Sequence, residues 1–157
     1  MDQLNQSSVF VIGGVVEERD VHLEHMRELS RRLGVALGES GRFRIVACSA
    51  HSASLDAGVI EGFAGTVGDK NGSVVVHCPS DQRLQLESQE TIRGQWSQLV
   101  ERTGLAPPRF RENSSAKVFE PSDFPSAFLA CQIRALRDDA DIVVCLLYTS
   151  PSPRDRG

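Results

Sequence analysis

The sequence predicts an α/β fold: a Rossmann-like parallel sheet with helices on both faces, incomplete at the C-terminus. The first observation is a set of short, fully apolar runs, of which Val9–Ile12 is the clearest, typical of strands buried on both faces of a parallel sheet. The second is that these runs alternate with longer segments whose apolar residues recur at helical spacing. The third is the pair Gly13-Gly14 directly after the first run, because ligands bind at the carboxyl ends of strands in open α/β sheets.

Length, charge and hydropathy exclude several classes of protein. The chain has 157 residues, which fits one domain with a sizeable core, and its formal net charge of −4 gives no sign of a nucleic-acid footprint. No apolar run is as long as a membrane span, and residues 1–7 are too polar for a signal peptide. We therefore predict a cytoplasmic protein that contacts neither a membrane nor nucleic acid.

The cysteines and histidines lack a metal-binding pattern. The 4 cysteines are scattered with no Cys-x-x-Cys pair, which predicts small buried hydrophobes in a reduced compartment rather than disulfides or metal ligands. His22 and His25 lie about one helical turn apart, but no third ligand is near them in the sequence. The sequence therefore predicts no metal site and no cofactor.

The N-terminal half predicts two strands and two helices in alternation. After the first strand, apolar residues at helical spacing predict a helix over Val21–Leu37, with Gly38 and Gly41 as its stop signals. The next strand, Phe43–Cys48, is expected beside the first one in the sheet interior, joined to it by a right-handed parallel crossover. A short helix, Leu55–Ala64, follows.

The C-terminal half continues the alternation with less regularity. The predicted strands are Ser73–His77, which Pro79 ends, and Asp141–Leu147, which is expected to be buried. The predicted helices are Leu84–Arg102 and Pro125–Leu136, the second with Phe128, Leu129, Ile133 and Leu136 turned inward. Between them, residues 108–125 form either a loop over the site or a short strand at Phe110 or at Val118-Phe119. His77 is either a structural histidine or an acid–base group.

Small and polar residues follow the second predicted strand and supply the second wall of a candidate pocket opposite Gly13 and Gly14. They are Ser49, Ala50, His51, Ser52, Ala53 and Ser54. Ser52 or Ser54 can cap the following helix, and hydroxyls with free backbone N–H groups at a helix start can bind an anion. Plain helix capping is the competing interpretation. Asp56 and Glu61 on the same helix could touch a ribose or face water.

The end of the chain differs in character from the rest. Residues 148–157 have the composition of a disordered coil, so we assign the domain to residues 1–147 and the tail to 148–157. The string from Cys145 to Gly157 also resembles translated sequencing-adaptor read-through. This resemblance implies that the natural sequence stops near Val144 and that the chain is a fragment.

Several short motifs together resemble the SLOG superfamily, which includes LOG-type nucleotide phosphoribohydrolases, DprA-like proteins and nucleotide-sensing domains of bacterial defence systems. These motifs are Val-Ile-Gly-Gly (11–14), Leu-Gly-x-x-Leu-Gly (33–38), Ile-Val-Ala-Cys-Ser-Ala-His-Ser (45–52), Glu-Gly-Phe (61–63) and the helix-and-strand segment 132–144. The resemblance implies a Rossmann-like sheet that binds a nucleotide or a nucleotide-derived signal. In the family this last segment leads into a Gly-Gly-x-Gly-Thr turn, whose place is taken here by the adaptor-like tail.

The resemblance leaves two functions open. One is a binding module for an ADP-ribose-like signal, a sensor in bacterial defence; the other is a fragment of an N-glycosidic hydrolase acting on nucleoside monophosphates. Hydrolysis needs a carboxylate near the ribose, and no catalytic residue can be assigned. Arg134 is the nearest candidate for the family's helix arginine, with Arg137 next. The predicted ligand-binding residues are Gly13, Gly14, Ser49, Ala50, His51, Ser52, Ser54, Asp56 and Arg134. A Rossmann-like interaction domain without a ligand, and self-association into a homo-oligomer, also remain open.

Overall fold

Five strands alternate with four helices along the described part of the chain. The structure is a computed structural model that describes residues 6–13, 21–52, 54–66, 73–79, 86–113 and 124–146. The strands are β1 (Ser7–Ile12), β2 (Phe43–Ala47), β3 (Val74–Pro79), β4 (Arg109–Asn113) and β5 (Ile142–Cys145). The helices are α1 (Val21–Ser40), α2 (Leu55–Gly65), α3 (Leu86–Thr103) and α4 (Phe124–Asp138). The predicted tail, residues 148–157, lies outside the described residues.

The strands form one parallel sheet in the order β4-β3-β2-β1-β5. In register, Val9 of β1 lies between Ile45 of β2 and Ile142 of β5. The prediction of an interior first strand flanked by the second is therefore confirmed, as is the α/β class. Because the chain runs outward from β1 to β4 and then returns to place β5 on the other side of β1, the sheet is wound in both directions.

Helices cover both faces of the sheet, and the alternation of side chains along the strands separates two cores. Val9 and Val11 face the larger core, which α1, α2 and α3 cover with residues that include Leu37, Phe63 and Leu99. Phe10 faces the smaller core, which α4 covers. Val9, Phe10 and Val11 are thus buried on both faces, as the unbroken apolar run predicted, while Ile12 at the end of the strand is half-buried.

Glycines let α1 and α2 approach each other backbone to backbone. Gly34 and Gly38 lie four residues apart on α1, and Gly58 and Gly62 have the same spacing on α2. A Cβ atom on Gly34 would lie 2.9 Å from the backbone nitrogen of Phe63, and one on Gly62 would lie 3.0 Å from the backbone nitrogen of Val35. Side chains at these positions would therefore force the two helices apart.

The expectation that Gly38 stops the first helix is wrong. α1 continues to Ser40, and Gly38 faces Thr66, near enough that a Cβ atom would lie 3.1 Å from the carbonyl oxygen of Phe63. The helix ends instead at Gly41, whose φ of +67° lies in the left-handed region that closes many helices. Gly38 is a packing residue because its neighbour across the helix interface leaves no space for a side chain.

Two expectations about burial in the last helix and strand are also wrong. Leu129, Ile133 and Leu136 of α4 are exposed, whereas Cys131 and Ala135 are the fully buried positions. In β5, Ile142 and Val143 are 41% and 44% exposed. The reason is position: β5 is the last strand of the sheet, and among the described residues nothing pairs with its outer edge. These apolar side chains form an exposed surface of the kind that monomers seldom present in large patches.

The remaining predictions about elements and cysteines are partly confirmed. The short strand is the one at Phe110, while Val118-Phe119 lies outside the described residues. None of the four cysteines forms a disulfide. Cys48 and Cys131 are buried as predicted, whereas Cys78 is half-buried and Cys145 on the edge strand is exposed. Across the part of the chain that the structure describes, none of the helices has the length and apolarity needed to cross a bilayer.

A cluster of three side chains, His77, Asp139 and Arg111, fastens the end of α4 to the sheet. His77 of β3 is 4% exposed, and its Nε2 lies 2.5 Å from Oδ2 of Asp139. The other oxygen of Asp139 accepts from the guanidinium of Arg111 on β4 at 2.9 Å. Because Asp139 directly follows α4, it joins this helix to two neighbouring strands. Of the two interpretations of His77, the contact with Asp139 therefore favours the structural histidine.

Removing the charge of Asp139 should weaken this cluster. We expect Asp139→Asn to lower the free energy of unfolding by about 2 kcal/mol, since it leaves a nearly buried histidine without its anionic partner. Urea unfolding followed by circular dichroism measures the change. Asp138→Asn is the matched control, because Asp138 is exposed and pairs only with arginines of its own helix within the described residues. Equal effects of the two substitutions would contradict a structural role of the cluster.

Candidate functional site

A cavity opens at the carboxyl ends of β2 and β3. Its volume is about 480 Å³, within the range of small-molecule sites. The β2–α2 loop, the end of β3, helix α3 and helix α4 all contribute to it. The lining residues are Cys48, Ser49, Ala50, His51, Pro79, Thr91, Ile92, Gln95, Trp96 and Phe128.

Asp56 holds the β2–α2 loop in place from inside the protein. Its Oδ2 accepts hydrogen bonds from the backbone N–H groups of Cys48 at 2.7 Å and Ser49 at 3.0 Å. Burial raises the pKa of this carboxyl to about 6, while the two backbone hydrogen bonds oppose the rise. Asp56 neither lines the cavity nor faces water. Its role is to position Ser49 rather than to contact a ribose.

Ser54 is the cap of α2. Its hydroxyl oxygen accepts from the backbone N–H of Ala57 at 3.3 Å, and the hydroxyl donates to the carbonyl of His51 at 2.7 Å. Of the two serines that could cap the helix, Ser54 does so, and its hydroxyl is occupied. Ser52 is exposed and lies beside a smaller cavity of about 210 Å³.

Gly13 lies away from the cavity, in a tight junction between β1, β5 and α2. A Cβ atom there would meet the side chain of Leu55 and would lie 2.6 Å from the carbonyl oxygen of Leu146. Leu146 also donates its backbone N–H to the carbonyl of Ile12 at 2.8 Å. The missing side chain of Gly13 therefore leaves space for Leu55 and Leu146 rather than for a ligand. Gly14 lies outside the described residues.

Arg134 is also separate from the cavity. Its guanidinium pairs with Asp138 at 3.4 Å on the outer part of α4. It stands six residues after Phe128, the α4 residue that lines the cavity, which is a rise of about 9 Å along the helix. Of the predicted site residues, the structure thus brings together Ser49, Ala50 and His51, with Ser52 nearby, and leaves Gly13, Ser54, Asp56 and Arg134 outside the lining.

The residues that sequence reasoning missed lie on α3. Ile92 and Trp96 are apolar positions of the predicted helix Leu84–Arg102, and both line the cavity. Beside them runs a polar stripe at helical spacing, made of Thr91, Gln95, Gln98 and Arg102. This polar stripe can be seen in the sequence and could have indicated the α3 wall of the site. A polar row beside an apolar row on a helix can border a cavity as well as face water.

A smaller neighbouring cavity has the positively charged side chain of Arg102 in its lining. It shares Ala50, His51 and Gln95 with the larger cavity and is further lined by Ser52, Gln98, Leu99 and Arg102. Arg102 forms an ion pair with Glu61 of α2. The two cavities therefore share part of their lining, and one of them includes Ile92 and Phe128 whereas the other includes Arg102.

The described lining residues supply few reactive side chains. Burial raises the pKa of the Cys48 thiol, which keeps it protonated and a poor nucleophile. Among the described residues, the linings of these two cavities include no carboxylate. No group of three or more His, Cys, Asp or Glu side chains within the described ranges could hold a metal ion.

Comparisons with protein-family models, with curated proteins and with solved structures found no match to this chain.

Proposed function

We propose that this chain is a binding module for a nucleotide or a nucleotide-derived molecule such as ADP-ribose. One observation carries the proposal: Ala50, His51 and Gln95 border both an apolar cavity and a polar cavity that ends at Arg102. A ligand that spans the two spaces needs a flat, largely apolar group joined to an anionic group. Nucleotides have this construction.

The larger cavity suits a nucleobase. Ile92, Trp96 and Phe128 supply apolar walls, and aromatic side chains pack well against flat rings. The side chains of Thr91 and Gln95 add hydrogen-bonding groups that can meet the polar edge of a base. A few polar groups in an apolar cavity are the usual means of orienting a small ligand.

The smaller cavity suits a phosphate. The guanidinium of Arg102 can donate two parallel hydrogen bonds to phosphate oxygens. His51 and Gln98 lie in the same lining. Because Glu61 already pairs with Arg102, an incoming phosphate competes with a carboxylate, and we expect weak binding.

The resemblance to nucleotide-sensing domains of bacterial defence systems is the reason for naming ADP-ribose and for a signalling role. The alternative, an N-glycosidic hydrolase acting on nucleoside monophosphates, requires a carboxylate beside the ribose. The described lining residues supply none, and the nearby Asp56 is engaged with the backbone. Binding without catalysis is therefore the proposal that the site supports best.

Calorimetric titration with ADP-ribose, AMP and adenosine tests the proposal. Arg102→Gln should weaken AMP binding about tenfold and leave adenosine unchanged, because only AMP carries the phosphate that the guanidinium contacts. Arg32→Gln is the matched control, since Arg32 is an exposed arginine on α1 that also pairs with a glutamate.

Two results would contradict the proposal. Failure of all three compounds to bind the parent chain would remove the nucleotide assignment. An equal loss of AMP and adenosine affinity in Arg102→Gln, with the fold intact, would mean that the guanidinium does not meet the phosphate.

A further inference from the structure

Three of the described lining residues border both cavities of the proposed nucleotide site. They are Ala50, His51 and Gln95. The side chain of Ala50 has no polar atom, and His51 already takes part in an interaction within the protein. Gln95 is therefore the shared residue whose polar side chain is not already engaged.

The carboxamide of Gln95 forms no hydrogen bond with any residue that the structure describes. Gln95 lies on α3 and is half-buried. A carboxamide has an acceptor oxygen and a donor NH₂ group, and polar groups that are withdrawn from water in folded proteins usually have a partner. The side chain of Gln95 can therefore give both a donor and an acceptor to a bound molecule.

The position of Gln95 indicates which part of a nucleotide it contacts. With the base in the larger cavity and the phosphate in the smaller one, the group between them is the ribose. Thr91 lines the larger cavity and not the smaller, which suits a contact with the base, whereas Gln95 borders both. A ribose hydroxyl both donates and accepts hydrogen bonds, as a carboxamide does.

We infer that Gln95 binds the 2′-hydroxyl of the ribose and makes the site prefer ribonucleotides to 2′-deoxyribonucleotides. The inference rests on the proposed nucleotide function, because the place of the sugar follows from the places of the base and the phosphate. A ligand without the 2′-hydroxyl would cover the carboxamide and leave it without a partner. A site built around a hydroxyl rejects the analogue that lacks it for this reason.

Calorimetric titration of the full chain with AMP and 2′-deoxy-AMP measures this preference. We expect the parent chain to bind AMP about tenfold more tightly. In Gln95→Met the two affinities should become equal, because methionine has a similar length but no hydrogen-bonding amide. Urea unfolding of the variant checks that its fold is intact.

Three comparisons assign the preference to the sugar contact. Gln132→Met is the matched control, since Gln132 is also half-buried but lies on α4 and outside both linings, and it should keep the preference. Arg102→Gln should weaken both nucleotides and keep the preference, because the guanidinium contacts the phosphate. The ratio of AMP affinity to IMP affinity should be the same in the parent chain and in Gln95→Met, because these two nucleotides differ only in the base.

The outcomes separate this inference from the proposed function. If the parent chain binds neither nucleotide, the nucleotide assignment fails and the role of Gln95 fails with it. Equal affinity of the parent chain for AMP and 2′-deoxy-AMP, or a preference that survives in Gln95→Met, would overturn the role of Gln95 while the nucleotide assignment stands. A changed ratio of AMP to IMP affinity in Gln95→Met would also overturn it, since Gln95 would then meet the base.

Discussion

Replacing Gly62 with alanine is expected to lower the free energy of unfolding by about 3 kcal/mol. The added methyl group would lie 2.8 Å from the backbone carbonyl carbon of Arg31 and 3.0 Å from the backbone nitrogen of Val35. These are main-chain atoms of α1, so they cannot turn aside as a flexible side chain can. Relief requires α1 and α2 to separate, which would open the core around Phe63.

Gly94→Ala is the matched control for this prediction. Gly94 also lies inside a helix, but a Cβ atom there would meet nothing within 4 Å. Alanine should therefore stabilise α3 by about 0.5–1 kcal/mol through its higher helix propensity. Urea unfolding of the two variants measures the difference. If Gly62→Ala were as stable as Gly94→Ala, the close backbone contact between α1 and α2 would be refuted.

Replacing Asp56 with alanine is expected to cost about 3 kcal/mol of stability at pH 5, where the carboxyl is largely protonated. The substitution leaves the backbone N–H groups of Cys48 and Ser49 without their acceptor. Because these amides begin the loop that lines the cavity, AMP binding should be lost as well. Asp56→Asn should fold normally, since both amides bond to the same carboxylate oxygen and an amide oxygen can replace it.

Comparing the parent chain with Asp56→Asn also tests the ionisation of Asp56. Burial raises the pKa of this carboxyl from 3.8 to about 6 in the folded protein, so the folded state holds the proton more tightly than the unfolded chain. The stabilising contribution is full below the unfolded pKa and is lost as the pH rises through about 6. Relative to Asp56→Asn, the parent chain should lose about 2 kcal/mol between pH 4 and pH 7. A difference in stability that does not change with pH would contradict a raised pKa.

The β2–α2 side of the candidate site could be predicted from the sequence. Ser49, Ala50 and His51 follow an apolar strand directly, and the carboxyl edge of a parallel sheet is where a cavity is expected. The α3 side of the cavity could not be predicted in the same way. The spacing of Ile92 and Trp96 marks an apolar helix face, but the pattern is the same whether that face meets core side chains or an open space.

Local chemistry determined much of this protein by itself. Four apolar residues in succession make β1 a strand buried on both faces, and a serine before α2 supplies its cap, because these outcomes depend on neighbours close in the chain. Only the tertiary structure decided the role of Gly13, which accommodates Leu55 and Leu146, and of Asp56, which is turned inward onto two backbone amides. It also decided the exposure of β5, whose apolar sequence resembles that of an interior strand. These three depend on which distant segments lie alongside, and that placement results from packing the whole sheet and its helices together.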